Sequence, residues 1–142
     1  MHLDSQSGIM NLVRRLLTRP NKQQSARLCV VNRTREIQLA HSIEVADEAS
    51  TRRKGLLGRV NLAAGEGLWI VPCEAVHTFG MKFPIDLVFL DRNKIVKKVK
   101  HNVVPGRLSM CLSAHSVLEL ASGAIQSSGT LPGDKLEFGA TA

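Results

Sequence analysis

FPIDLVFLDRNKIVKKVK, residues 83–100, decides the fold class. Phe83, Ile85, Leu87 and Phe89 recur with period two, so they share one face of a strand while Asp86, Val88 and Leu90 take the other. DRNK (91–94) supplies turn chemistry, and IVKKVK (95–100) begins a second strand. Lysines on both faces of that strand suit a sheet edge, where charge blocks pairing with another chain.

The same pattern extends in both directions. Leu28–Val31 and the alternating Ile37, Leu39, His41, Ile43 and Val45 flank a charged turn at Asn32–Arg35 and predict a hairpin. Gly67–Val71, Ser116–Leu120 and Leu136–Phe138 are further short strands, punctuated by AGEG, VPG and LPGD. Strands at this spacing predict a mainly-β domain, α+β by element count, built as a sandwich or barrel. One main helix is expected from Ala49 to Leu57, with Asp47 as its cap, Gly58 as its stop and Arg52, Arg53 and Lys54 on its solvated side. Near the N-terminus, Ile9, Met10, Leu12, Val13, Leu16 and Leu17 fall at helical spacing between Ser7 and Pro20. The expected organisation is therefore a basic amphipathic helix and linker over 1–26, then a single mainly-β domain over 27–142.

A chain of 142 residues is long enough for one ordinary core. Its formal charge of +7 is uneven: residues 1–60 hold eleven Lys/Arg against five Asp/Glu, and the rest eight against seven. The positive charge thus belongs to the front of the chain, and the lysine-rich strand lacks the interleaved aromatics on which bases stack, so nucleic acid is not the favoured partner. Cys29, Cys73 and Cys111 form no ligand spacing and no disulfide framework. Arg14 and Arg15 interrupt the N-terminal apolar stretch, leaving no transmembrane segment. A cytoplasmic chain with reduced thiols is the resulting expectation. No cofactor fingerprint or internal repeat is evident.

Chemistry concentrates in WIVPCEAVHTFGMKFPID, residues 69–86. Asp86 is a carboxylate among apolar neighbours, and Glu119 repeats the situation in SVLEL, beside Val117 and Ala121 on its own face. A buried carboxylate needs a partner or a raised pKa, which makes Arg59, His77 and Arg107 candidate partners. Sharing one cavity, Asp86 and Glu119 would suit acid–base work or a hard cation; the competing reading ties loops together through backbone hydrogen bonds. Cys73 and His77 lie four apart, a helical spacing that Pro72 opposes, and as nucleophile and base they need hydrogen-bond reach. With only one cysteine and one histidine close in sequence, no metal site is expected. Met81 and Trp69 read as core or as the wall of an apolar pocket.

GLLGR (55–59), GEGLWIVPC (65–73), VHTFGMKFPIDLVFLD (76–91), VLELASG (117–123) and GDKL (133–136), taken in order over about residues 28–138, resemble the family called domain of unknown function 192. Many members of that family carry Phe-Trp-Met-Lys-Asn-Thr where this chain has Val76–Met81, so it resembles a branch with His-Thr and a nearby Cys. Asp86, Glu119 and Gly133-Asp134 match the wider pattern. The resemblance implies a compact antiparallel architecture similar to a sandwich or jelly roll, with its main helix near 48–58, and no established activity. Three readings of function follow. The first is a small binding or accessory module with a pocket for a small polar ligand or peptide, formed by Cys73, His77, Thr78, Met81, Asp86, Glu119 and Arg59. The second is a hydrolase or transferase using Cys73 or Thr78 with His77, oriented by Asp86 or Glu119. The third is salt-sensitive attachment of the N-terminal segment to nucleic acid or anionic lipid.

Overall fold

The computed structural model describes residues 26–141. The helix and linker expected over 1–26 therefore lie, but for Ala26, outside the described residues. Within these bounds are nine strands and two short helices: β1 (Leu28–Asn32), β2 (Ile37–Ala46), α1 (Ala49–Lys54), β3 (Glu66–Ile70), β4 (Ala75–His77), β5 (Ile85–Leu90), β6 (Val96–Val103), β7 (Leu108–Met110), β8 (Ser116–Ala121), α2 (Ala124–Ser128) and β9 (Leu136–Ala140).

Seven strands form one sheet in the order β6-β5-β8-β3-β2-β1-β9, and β4 and β7 make a separate antiparallel pair. The lysine-bearing β6 is an edge strand, as its charge pattern requires. Within the large sheet every pairing is antiparallel except β2 with β3. Parallel neighbours need a crossover, and residues 47–65, carrying α1, provide it.

The sheet curls. At one end its two edges meet through the isolated bridge Ile95–Lys135, backed by hydrogen bonds from Val96 N–H to Asp134 O and from Leu136 N–H to Lys94 O. Side chains from both edge strands accordingly share one buried cluster with the middle of the sheet: Val96 of β6, Leu136 of β9, and Ile43, Val88 and Leu118 between them. That is the concave face, and the architecture is a half-barrel rather than a flat sandwich. The convex face has its own core of Leu68, Ile85, Leu87, Phe89 and Val117, roofed by Leu56 and Val76 from the α1 crossover and β4. With apolar side chains burying both faces, β5 and β8 contain no exposed residue.

The helix is shorter than its sequence suggests. Glu48, not Asp47, is its cap, and Thr51 closes a reciprocal capping box with it. Gly55, at φ +51°, ends the helix three residues before Gly58. Leu56 and Leu57 continue the helical spacing, but the chain turns at Gly55 and delivers Leu56 into the convex core.

Candidate functional site

Asp86 and Glu119 sit on neighbouring strands but on opposite faces. In the β5–β8 register Leu87 lies opposite Glu119 and Asp86 opposite Leu120. Directly opposed side chains project the same way, so Asp86 points to the concave side with Leu120 and Glu119 to the convex side with Leu87. The shared cavity considered from sequence is thereby corrected: the pleat separates the two carboxylates.

Asp86 is fully engaged. Its Oδ1 accepts the Asn102 N–H at 2.8 Å, and its Oδ2 accepts the N–H groups of Gly123 at 3.1 Å and Ile125 at 2.9 Å. It holds the end of β6 to the start of α2, and none of Arg59, His77 or Arg107 is its partner. This is the loop-tying role of a buried carboxylate.

Glu119 is the opposite case. It is 4% exposed, between Leu68 of β3 and Leu87 of β5, and its Oε2 is buried with no hydrogen-bond partner among the described residues. Gly55 lies over it: a Cβ added there would stand 3.9 Å from Oε2. Burial pushes the Glu119 carboxyl up to about 7, against a smaller downward pull from the Arg59 charge. Arg59 itself is committed elsewhere, 2.6 Å from Glu44, which also takes Arg27 at 3.0 Å.

Glu119 forms part of a cleft of about 70 Å³ between the α1 crossover and β4. Cys73, His77 and Met81 line it too, so four of the seven candidate residues come together. Arg52, Arg53 and Lys54 contribute to its rim. By sequence these three form only a solvated helix face; nothing local to them indicates that the crossover carries them to Glu119.

The two candidate nucleophiles, Cys73 and Thr78, are already engaged. Cys73 and His77 are joined through a bend at Glu74 and β4, not a helix. The Cys73 thiol donates to the Ala75 carbonyl at 3.1 Å, and burial pushes its pKa up, so it is held as a thiol. His77 is exposed, its ring stacked on Phe79 with centroids 5.5 Å apart. Thr78 is buried; its hydroxyl donates to Val104 O at 2.8 Å and accepts the Arg107 N–H at 2.9 Å, fastening two loops. Among the described residues no three His, Cys, Asp or Glu side chains converge to hold a metal ion, and no helix is long and apolar enough to cross a membrane.

Sequence reasoning also missed a second buried polar cluster. Asn32 is fully buried and donates to Thr130 Oγ1 at 3.0 Å and to Asp134 Oδ2 at 2.9 Å; Asp134 also accepts Arg35 Nε at 2.6 Å and the Leu131 N–H at 3.0 Å. The available signal was a lone amide closing the apolar run LCVVN.

Two solved structures share the fold. A protein from Sinorhizobium meliloti, named as a candidate transcription regulator, is 23% identical over 80% of this chain and 92% of its own, with a TM-score of 0.70. A protein of unknown function from Novosphingobium aromaticivorans is 23% identical over 83% of this chain and 89% of its own, also with a TM-score of 0.70. No curated protein matches. Residues 30–138 match domain of unknown function 192, described as an uncharacterised ACR, and the chain belongs to that family.

Proposed function

We propose that the protein is a small binding module whose ligand seats in the Glu119 cleft. The observation that carries this reading is the Glu119 carboxyl itself: a buried polar atom left without a partner costs on the order of 1–3 kcal/mol, and here it belongs to a side chain that lines a cleft. A ligand that supplies the missing hydrogen bond recovers that cost. The carboxyl stands on strand β8, a rigid element in the middle of the sheet. The cleft is small, so the ligand is a small polar molecule or one projecting group of a larger one, such as a peptide side chain.

The hydrolase or transferase reading has less behind it. Cys73 is held as a thiol by burial, the Thr78 hydroxyl is spent on two loop contacts, and Asp86 faces away from the cleft. Reduced cysteines and a cytoplasmic setting belong to the same proposal.

The test is an NMR screen of the full chain against small polar molecules and short peptides. Saturable shifts confined to the amides of residues 52–57, 73–81 and 119, and abolished by Ala75→Trp at the cleft wall, are expected. Binding that maps elsewhere, or that survives Ala75→Trp, overturns the assignment.

A further inference from the structure

We infer that the Glu119 cleft takes a small oxyanion, a carboxylate or a tetrahedral group such as phosphate, and that it does so with Glu119 protonated. This deepens the binding-module reading and rests on it. Two independent features point the same way. The floor is a carboxyl whose Oε2 has no hydrogen-bond partner among the described residues; in its neutral form that group is an O–H donor in need of an acceptor, which an anionic oxygen provides. The rim is cationic, with Arg52, Arg53 and Lys54 around the opening.

The charges around Glu119 can be followed element by element. The α1 crossover brings Arg52, Arg53 and Lys54, and also Arg59, which is paired with Glu44. The β4 segment brings His77 and the neutral Cys73 thiol, with Glu74 exposed beside them. From β3 and β5 come only Leu68 and Leu87. Among the described residues no other carboxylate lines the cleft. An ionised Glu119 would repel an anion at the floor, whereas a neutral one donates to it, so binding draws in one proton at pH values where free Glu119 is ionised. Size agrees: about 70 Å³ is several times the roughly 10–15 Å³ needed to admit one water, room for a group the size of acetate or phosphate.

The experiment titrates the full chain with acetate and with sulfate, followed by NMR at pH 6 and pH 8.5. Neither anion changes charge in that range, so each reports on the protein, and the two arms separate carboxylate from tetrahedral oxyanion. With Glu119 half-protonated near pH 7, affinity is expected to fall roughly thirty-fold between the two pH values. Glu119→Gln, whose amide donates at every pH, should bind at pH 6 and lose most of that dependence. His77→Gln separates the imidazole contribution and should retain the dependence. Arg52→Gln with Arg53→Gln should weaken both anions several-fold. Affinity that is flat or rises with pH, or a fall that persists in Glu119→Gln, overturns the inference. Acetamide binding as well as acetate does so too while leaving the binding module standing; if no ligand, charged or neutral, occupies the cleft, both fall together.

Discussion

The Glu119 carboxyl releases its proton near pH 7 in the folded chain and near its ordinary 4.5 when unfolded. Between those values the folded state holds a proton that the unfolded state has lost, so stability falls as pH rises from about 4.5 to about 7 and is level above. The span corresponds to about 3 kcal/mol. Glu119→Gln keeps the shape and removes the ionisation; it should be more stable than the natural chain at pH 8 by up to that amount and little different at pH 5. Urea denaturation at the two pH values measures this, and an equal difference at both would remove the buried charge as its cause. Amide substitution at Asp86 is expected to destabilise instead. Asp86→Asn places an NH₂ or one acceptor too few against three backbone N–H groups, and should cost about 3 kcal/mol by the same assay. The period-two pattern of residues 83–90 assigns Asp86 to the face of Val88 and Leu90. It cannot place Glu119, because that depends on which residue of β5 stands opposite it, and a slip of one residue reverses the outcome.

Among the elements, β3 is the one whose sequence is most tightly constrained by its neighbours. Gly67 lies in the strand between Ile43 of β2 and Leu120 of β8, and a Cβ built there collides with the Glu119 carbonyl oxygen and stands 2.8 Å from Ile43 Cδ1. Backbone cannot yield as a flexible side chain does. Gly67→Ala should therefore force β3 from β8 and destabilise by about 3 kcal/mol or more, seen as a clear drop in melting temperature; a melt within a degree or two of the natural chain would contradict the packing argument. Elements legible in the sequence are the strands of five or more residues: β1, β2, β3, β5, β6, β8 and β9. The three-residue β4 and β7 are too short to show a period, and α2 is a five-residue turn of helix held by Asp86 and closed by Gly129. These short pieces make the convex roof and the barrel end, which is why the cleft is only half visible in the sequence: Cys73, His77 and Met81 are near one another, but the Arg52–Lys54 rim arrives through a crossover.

At the scale of the whole molecule, closure onto β6 depends on a pairing between the two ends of the described chain, which holds the edge strand β9 in place. β1 pairs with β9 from Leu28–Ala140 to Asn32–Leu136, and the Asn32–Asp134 cluster sits where that pairing meets the edge of β6. Burial pushes Asp134 up, but hydrogen bonds from Asn32, Arg35 and the Leu131 N–H outweigh it and hold it below its ordinary 3.8. Its contribution is present above that value and is lost as pH falls through the lower folded one. Asn32→Ala removes a buried donor to both Thr130 and Asp134 and should cost about 2–4 kcal/mol. How that loss spreads tests whether the half-barrel is one cooperative unit. Trp69, the single tryptophan, stacks on Phe138 of β9 with centroids 4.3 Å apart, so its fluorescence reports directly on whether the last strand is docked. Leu136 is fully buried in the concave core with residues from β1, β2, β5, β6 and β8, so releasing β9 opens that core to water instead of trimming an edge. Asn32→Ala should therefore shift the urea midpoint downward with fluorescence and far-UV circular dichroism moving together. A fluorescence transition that precedes the loss of strand signal would mean that β9 detaches alone and that closure is an accessory to the fold.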